Sequence, residues 1–327
     1  MSRILVTGGC GLIGHNVVQR LQNRGHQVRI IDNQTDYGVI PRDELRYIME
    51  ERMKKIDSGT MIHKIDIEGK HVDKVFEQFL PEVVIHLASF PRQKVVNANP
   101  VQGARVMTEG LLNLLELSVK YDVIKFVYIS SSMVYGDFTD DVREDAACNP
   151  IGQYGIMKLA GEMLVRDYSR KNPQMVHTIL RPSAVYGELD VEDRVMSKFM
   201  LAALRNHPLY VNGANETLDF TFVDDAADGI VAATFSDATH NNTYNITKSH
   251  ATKLVDAAKM VTNMAAGGEI VIRPKDQDFP SRGALNIEAA RNDFGFNPKV
   301  TIQDGFHRYM EWFKSSPFWQ KKITRLK

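Results

Sequence analysis

Residues 3–14 read RILVTGGCGLIG, and this stretch decides the fold. A short apolar run meets a glycine-rich turn, and the apolar residues that follow recur at the spacing of an amphipathic helix. Gly8, Gly11 and Gly14 are spaced three apart, which suits a tight turn, a close approach of the backbone to a phosphate, and close packing of helix on strand. The pattern predicts a phosphate-binding turn at a helix N-terminus. An ordinary glycine-rich turn is the alternative, because such motifs also occur by chance.

The second predicted strand ends in an acid, Asp32, followed by Asn33. Asp32 lies 18 residues beyond Gly14, close to the spacing at which a carboxylate accepts hydrogen bonds from the ribose of a dinucleotide. A 2′-phosphate would be repelled there, so the sequence predicts NAD and disfavours NADP. The alternative, an Asp that merely ends a strand, is less favoured because the glycine turn precedes it.

The composition is that of an ordinary globular protein, with 327 residues, 43% hydrophobic and 24% charged. The formal net charge is zero, so we expect no nucleic-acid or membrane-surface partner. No apolar run approaches the roughly 20 residues that span a bilayer, and the first residues show no signal-peptide pattern. Cys10 and Cys148 predict neither a disulfide framework nor a metal site. A cytoplasmic protein is therefore expected.

Apolar runs alternate with helical patterns through the first half of the chain. Strands are expected at 27–33, 61–67, 82–88 and 125–129, a long helix at 101–121, and an inserted surface helix with a solvated charged face within 41–58. This alternation predicts a parallel, doubly wound α/β sheet, which binds ligands at the carboxyl ends of its strands. Asp66 and Ile67 at one such end are expected near an adenine ring. Arg92, in the loop that begins at Ser89, is expected to contact either the cofactor phosphates or the substrate, and the sequence does not choose between them.

Tyr154 and Lys158 are four residues apart at the start of a predicted helix, so they share one helical face. A nearby ammonium favours phenolate and lowers the pKa of a tyrosine. Such a tyrosine can take the proton of an alcohol while hydride leaves the same carbon, with a serine binding the oxygen. The Tyr-x-x-x-Lys pattern is common by itself, but here it follows the glycine turn, Asp32 and a serine-rich strand end. Together these features predict redox chemistry on an alcohol.

At this point the chain resembles a known family, the extended short-chain dehydrogenase/reductases, in their group of NAD-dependent nucleotide-sugar epimerases and dehydratases. Within this group it is most similar to the UDP-sugar 4-epimerases. The motifs that carry the resemblance are TGGCGLIG (7–14), IDN (31–33), HLA (86–88), SSSMVYG (130–136), YGIMK (154–158), LRPSAVYG (180–187) and LDFTFVDD (218–225).

The resemblance implies an NAD-binding Rossmann domain at residues 1–182, with 217–250 returning to it. A smaller, mixed α/β substrate lobe would comprise residues 183–216 and 251–327. Many relatives pair two long helices in a four-helix interface, so the resemblance also implies a homodimer.

The resemblance also assigns the catalytic residues. Ser131, four residues before the tyrosine of the V-Y-G motif, would bind the reacting oxygen. Tyr154 would act as general base and acid, and Lys158 would lower its pKa and hold the nicotinamide ribose. The expected cofactor contacts are Gly8, Gly11, Leu12, Ile13, Gly14, Asp32, Asn33, Asp66, Ile67, Leu87, Ala88, Ser89, Tyr154 and Lys158.

Four positions depart from the family pattern. Dehydratases and decarboxylases of the group usually carry an acid pair or a Ser-Glu pair after the catalytic residue, whereas this chain has Ser132 and Met133. A thioether cannot donate the proton that β-elimination needs, so the sequence favours an epimerase. Inversion is expected at C4, but the sequence leaves the inverted carbon open. Met107 stands in a helix where the family often has Asn, and Ala184 and Leu218 replace an Asn and an Arg that often contact the substrate. These three changes leave the nucleotide and the sugar open.

A nucleotide sugar carries a diphosphate, which requires cations. Arg282 matches an arginine of the family before the last helices, and an arginine can bind two phosphate oxygens at once. For every candidate cation the alternative is a surface charge. The expected substrate contacts are Ser131, Ser132, Arg92, Arg194, Lys198 and Arg282.

Three other functions stay open at this stage. A 4,6-dehydratase or decarboxylase on the same scaffold is disfavoured by Met133. A reductase is disfavoured by Asp32 if it must use NADPH. A non-catalytic NAD-binding sensor belongs to another class, and the set Ser131, Tyr154 and Lys158 disfavours it, since a pure binder has no use for a low-pKa tyrosine.

Overall fold

The computed structural model describes residues 1–90, 93–191 and 193–324. The strands are β1 (Arg3–Thr7), β2 (Gln27–Ile31), β3 (Met61–His63), β4 (Val83–His86), β5 (Lys125–Ile129), β6 (Val176–Pro182), β7 (Val185–Tyr186), β8 (Leu209–Asn212), β9 (Thr217–Asp219), β10 (Thr221–Phe222), β11 (Asn242–Ile246), β12 (Ala251–Lys253) and β13 (Ile270–Arg273). The helices are α1 (Leu12–Asn23), α2 (Arg42–Lys54), α3 (Val72–Phe79), α4 (Gln93–Ala98), α5 (Pro100–Ala104), α6 (Gly110–Lys120), α7 (Gln153–Lys171), α8 (Val195–Leu204), α9 (Val223–Phe235), α10 (Leu254–Ala265), α11 (Glu288–Phe294), α12 (Ile302–Ser315) and α13 (Pro317–Thr324).

The centre of the fold is a seven-stranded parallel sheet with the order β11-β6-β5-β4-β1-β2-β3. Ile4, Leu5 and Val6 of β1 are fully buried, as expected for strands covered by helices on both faces. From β1 the chain moves outward to β3 and then returns to β4 on the other side of β1. Open parallel sheets bind ligands at this switch point, beyond the carboxyl ends of the strands. The predicted doubly wound α/β sheet is confirmed.

Three strands end earlier than their sequences predict. β2 ends at Ile31 instead of residue 33, β3 at His63 instead of 67, and β4 at His86 instead of 88. The residues beyond these ends leave the ladder at the carboxyl edge, where most of them line a cleft. The apolar pattern continues into these loops, so pattern alone could not locate the ends of the strands.

The helix predicted at 101–121 is divided by a wider, π-helical turn at Arg105–Glu109, between α5 and α6. Such turns insert one extra residue into a helix. Val106 of this turn lines the cleft, and Met107 is buried. Gly110 follows at once, and a Cβ there would lie 2.6 Å from Cγ1 of Ile67, so this close contact requires glycine.

The charged segment 41–58 forms α2, but the prediction that its charges form a solvated face is wrong for two of them. Glu44 and Arg52 are buried, at 0% and 6% exposure. Tyr47 stacks on Phe318 of α13 with ring centroids 4.4 Å apart. α2 is therefore packed against the second lobe, which a single helix pattern could not indicate.

The second lobe encloses an aromatic core between α8, α10, α12 and α13. Phe306, Tyr309, Phe313 and Trp319 are all fully buried in it. β8 and β13 pair in parallel at its side. In the residues that the structure describes, we find no helix of the length and apolarity needed to cross a membrane.

The segment 217–250 contributes to both parts of the molecule. β9 pairs with β12 and β10 pairs with β7, in small separate sheets. α9 packs on α1, and β11 forms an edge of the central sheet. Ala290 and Phe296, from the segment assigned to the substrate lobe, pack into the core of the central sheet. The division of the chain into two domains at the stated residues stays a prediction.

Candidate active site

A cleft of about 1030 Å³ opens at the carboxyl ends of the central strands. One side, here called the sheet wall, is formed from residues in 8–14, 31–36, 87–89, 129–133 and 154–158. The opposite side, the lobe wall, is formed from residues in 182–220 and 275–282. The cleft thus lies where the topology places a ligand site.

The glycine turn forms the floor of the sheet wall. Gly8 has φ +70°, and a Cβ on it would lie 2.6 Å from the backbone nitrogen of Ala88. A Cβ on Gly14 would collide with the carbonyl of Gly8. α1 begins at Leu12 without a side-chain cap and without an acid in its first turn. Its first amides therefore face the cleft as anion donors, which fits the diphosphate of a dinucleotide.

Asp32 is held rigidly at the end of β2. The amide of Cys10 donates to its Oδ2 at 2.9 Å, and the amide of Gln34 donates to its Oδ1 at 2.8 Å. The carboxylate lines the cleft beside the glycine turn, where it can accept hydrogen bonds from ribose hydroxyls. The turn and this carboxylate together are the donor and acceptor set that NAD requires.

The other predicted cofactor residues are placed less uniformly. Asn33, Ile67, Leu87, Ala88 and Ser89 line the cleft. Asp66 is exposed and lies outside the lining of the cleft, because its side chain turns to solvent, where it accepts a hydrogen bond from Nδ2 of Asn33 at 2.6 Å.

Ser131, Tyr154 and Lys158 are brought together at the centre of the sheet wall. Ser131 lies two residues beyond the end of β5, and its side chain is hydrogen-bonded to that of Tyr154. Lys158 lies one turn further along α7, where its Nζ donates to the carbonyl of Ile129 at 2.7 Å. The same Nζ lies 5.9 Å from the ring centroid of Tyr154. A hydroxyl, a phenol and an ammonium thus face one point of the cleft.

The pKa of Tyr154 is raised, whereas the sequence predicted a lowered one. It is raised by burial, while the charge of Arg194 and the hydrogen bond with Ser131 act to lower it. Burial also lowers the pKa of Lys158 to about 7, against the opposing charge of Glu162. Lys158 does not contribute to this shift, and its lowering of the Tyr154 pKa stays a prediction.

Sequence reasoning missed a buried ion pair behind this site. Glu162, one turn beyond Lys158, accepts from Nε and Nη2 of Arg181 at 2.8 and 2.7 Å. The hydroxyl of Ser130 also donates to it, at 2.6 Å. The spacing Lys158–Glu162 could have indicated a shared helical face, but Arg181 is distant in sequence. The pair fixes α7 to the ends of β5 and β6.

Arg282 is the predicted cation that the structure places deepest in the cleft. Its Nη1 donates to Sδ of Met133 at 3.7 Å, so it bridges the lobe wall and the sheet wall. Its Nε is buried and has no hydrogen-bond partner within the described ranges. Burial lowers its pKa to about 10. Such a guanidinium is well placed to bind an anionic ligand.

The remaining substrate predictions lie at different depths. Ser132 is buried, and its hydroxyl donates to Oγ of Ser183 at 3.0 Å. Arg194 and Lys198 line the rim, where their side chains are 45% and 58% exposed. Arg194 lies 3.9 Å from the buried carboxylate of Asp190, and Lys198 lies 2.9 Å from the carboxylate of Asp193. Arg92 lies outside the described residues.

Arg52 also lines the cleft and was missed. It occupies a position on the apolar stripe of α2, beside Ile48 and Met49, and a charge at such a position was the available signal.

The fold and this cleft define an NAD-dependent enzyme built on a Rossmann sheet. The chain belongs to the NAD-dependent epimerase/dehydratase family, whose model matches residues 4–247. A putative UDP-glucose 4-epimerase of Methanocaldococcus jannaschii is 30% identical, covering 96% of this chain and 99% of the relative. UDP-glucuronic acid decarboxylase 1 of Arabidopsis thaliana is 27% identical, covering 96% of this chain and 70% of the relative.

Among solved structures, UDP-glucuronic acid 4-epimerase of Bacillus cereus, crystallised with UDP-glucuronic acid and NAD, is similar with a TM-score of 0.87. It is 26% identical, and the match covers 95% of this chain and 99% of that one. The predicted family, the Rossmann fold and NAD as cofactor are confirmed. These relatives include both epimerases and a decarboxylase, so they do not distinguish the reaction.

Proposed function

We propose that the protein is a nucleotide-sugar epimerase that inverts a sugar carbon, C4 in the leading form of the proposal, through a transient keto-sugar. The observation that carries this proposal is Met133. It is buried in the sheet wall next to Ser131 and contacts Arg282. Dehydratases and decarboxylases that the chain resembles place acid groups here, and a thioether has no proton to give. An epimerase needs none at this position.

The residues of the site suit the two proton transfers of an epimerase. Tyr154, as the phenolate that the charge of Arg194 and the hydrogen bond with Ser131 favour, takes the proton of the sugar hydroxyl, directly or through the Ser131 hydroxyl, and later returns it. NAD supplies the hydride acceptor when it is bound. Lys158, tied to the carbonyl of Ile129, orients the nicotinamide side of the site.

The sugar must turn over between removal and return of hydride. Arg282 is the group we propose to hold the diphosphate during this step, because it can bind two oxygens and its Nε is otherwise unpaired in the described structure. The sugar would then be free to present its other face, since its diphosphate and not its ring is gripped.

The test is a product analysis in D₂O with the NAD-loaded enzyme. UDP-sugars are tried first, because the relatives named above act on them, followed by dTDP-, GDP- and CDP-sugars. An epimerase gives an isomer of unchanged mass, with no deuterium bound to carbon, because hydride returns to the carbon that it left. Elimination of water or loss of CO₂ places solvent deuterium on a sugar carbon. Products of the second kind only would overturn the proposal.

We also propose a homodimer. Ile156 and Met163 of α7 are 52% and 63% exposed, and they are seven residues apart, so they lie on one helical face. Two such faces can cover each other in a helix-to-helix interface. Light scattering of the wild type should give twice the chain mass, and Met163→Glu should give the monomer.

A cytoplasmic location remains part of the proposal, in keeping with two free cysteines.

A further inference from the structure

Arg52 joins parts of the molecule that are far apart in sequence. It lies in the last turn of α2, at the side of the cleft. Its Nη1 donates to the carbonyl of Cys10 in the glycine turn at 3.2 Å. Its Nε and Nη2 both donate to the carbonyl of Leu189 in the lobe wall, at 3.2 and 2.7 Å. One guanidinium therefore bridges the two walls of the cleft.

The charge of Arg52 is buried without a close counter-charge. Within the described ranges, no carboxylate lies within 4.0 Å of its guanidinium. Asp190 and Asp32 act on it from a greater distance, and burial lowers its pKa to about 10. A buried cation of this kind gains from an anion placed beside it. The diphosphate of NAD is such an anion, because the glycine turn that binds it carries the carbonyl that Arg52 contacts.

The contact at Leu189 holds a strained loop. Leu189 has φ +66°, a backbone conformation that a branched side chain rarely adopts. The next residues are closely tied, since the amide of Asp190 donates to the carbonyl of Gly187 and the amide of Val191 donates to Oδ1 of Asp190. Two donors from Arg52 on the Leu189 carbonyl fix this arrangement. Loop 187–191 then leads to Arg194 at the rim.

We propose that Arg52 is a positioning residue that fastens the glycine turn to loop 187–191, so that cofactor retention and the order of the lobe wall both depend on it. The anchors of α2 support this assignment. Tyr47 is hydrogen-bonded to Ser316 at 2.7 Å, and Lys322 lies 3.7 Å from Glu44. α2 is thereby fixed to the second lobe, and Arg52 carries that fixation to the cofactor turn. The proposal requires only that the chain binds NAD, whichever sugar it converts.

Two substitutions separate the positive charge of Arg52 from its ability to contact two carbonyls at once. Arg52→Met removes the charge and both contacts, so the dissociation constant of NAD should rise by about tenfold or more, and NAD content after purification should fall. Arg52→Lys keeps the charge but has one nitrogen, so it can reach only one carbonyl. We expect it to hold NAD within about threefold of the wild type while loop 187–191 is loosened. Arg46→Met, an exposed position of the same helix, is the control.

The readouts are NAD content by acid release, NAD affinity by calorimetry on stripped protein, and amide hydrogen exchange. Exchange of the Asp190 and Val191 amides should accelerate in both Arg52 variants and stay unchanged in the control. Wild-type NAD affinity and exchange in Arg52→Met would overturn the proposal. So would an equal loss of NAD in both variants with faster exchange throughout the fold, since that outcome marks a general structural role. If Arg52→Met does not fold, Arg52→Lys decides by its exchange pattern and its NAD content.

Discussion

The two walls of the cleft are organised differently. In the sheet wall two charged groups already have fixed partners: Asp32 accepts two backbone amides, and Lys158 donates to the carbonyl of Ile129. In the lobe wall the Nε of Arg282 is buried without a partner in the described structure, and Arg194 lies exposed at the rim. The sheet wall is therefore preorganised for one cofactor and one kind of chemistry. The lobe wall thus offers a donor that is unpaired in the described structure, Nε of Arg282, and we therefore expect the lobe wall to select the substrate.

The largest effect should follow from a change at the centre of the sheet wall. Tyr154→Phe removes the hydroxyl that transfers the proton, so kcat should fall by about 100- to 10,000-fold. NAD content should not change, because the glycine turn and Asp32 are untouched. Tyr210→Phe, on the exposed face of β8 in the lobe wall, should change kcat less than about twofold. If kcat of Tyr154→Phe stays within tenfold of the wild type, the hydroxyl of Tyr154 does not transfer the proton, and the sheet wall does not carry the chemistry as proposed.

The second prediction concerns the loss of folding stability caused by burying the charge of Lys158 in the sheet wall. Burial lowers the pKa of Lys158 from 10.5 to about 7, which corresponds to about 5 kcal/mol against its charged form. Lys158→Met loses one hydrogen bond, worth about 1–3 kcal/mol. NAD-free Lys158→Met should thus be more stable than the wild type at pH 6 in urea unfolding. The wild type binds fewer protons folded than unfolded between pH 7 and 10.5, so its stability rises with pH and the gap should close towards pH 10.

A second buried lysine provides the control for this prediction. Nζ of Lys125 is bonded to the carbonyls of Ala233 and Ser236 and to Oγ1 of Thr239, at 3.1, 3.0 and 2.9 Å. Lys125→Met removes three hydrogen bonds, whereas Lys158→Met removes one. Lys125→Met also relieves a smaller burial cost, because burial lowers the pKa of Lys125 only to about 8. Lys125→Met should therefore destabilise the protein. If both variants lose the same free energy of unfolding, Lys158 stabilises the fold, and its buried charge does not lower the stability of the wild type.

The third prediction moves to the lobe wall. Arg282→Met should raise KM for the nucleotide sugar by about 10- to 100-fold and change kcat by less than about threefold, because the arginine binds a part of the substrate that does not react. The KM of Arg282→Lys should lie between those of the wild type and Arg282→Met, since a lysine keeps the charge but cannot bind two oxygens at once. A kcat that falls as far as KM rises would place Arg282 in the chemistry of the sheet wall.

The same difference explains what the sequence could predict. Gly8, Gly14 and Asp32 act through the backbone and through short spacings, so a local motif specifies them. The family motifs likewise placed Ser131 and Tyr154 next to each other, and the structure brings both to one point of the cleft. The parallel sheet followed from the alternation of elements, although the strand ends and the wider turn at 105–109 did not.

The missed features depend on tertiary packing. Arg52 contacts Leu189 across 137 positions, and no local pattern contains such a contact. The pKa of Tyr154 was predicted from one neighbour, Lys158, whereas burial makes the largest contribution to it. The departures Ala184 and Leu218 marked the lobe wall as unusual but did not indicate what replaces the lost contacts.

The smallest expected effects separate two cations at the rim. Lys198 is paired with Asp193 at 2.9 Å and is 58% exposed, so Lys198→Met should change kcat and KM by less than about threefold. Arg194 is also exposed, but its charge acts to lower the pKa of Tyr154. Arg194→Met should therefore raise that pKa and move the acid limb of the kcat–pH profile to higher pH, whereas Lys198→Met should leave the profile in place. Profiles of the wild type and both variants, recorded at saturating substrate, test this. Equal profiles in all three enzymes would mean that neither rim cation affects the pKa of Tyr154. A shift in Arg194→Met alone would show that a charge in the lobe wall adjusts the proton transfer in the sheet wall.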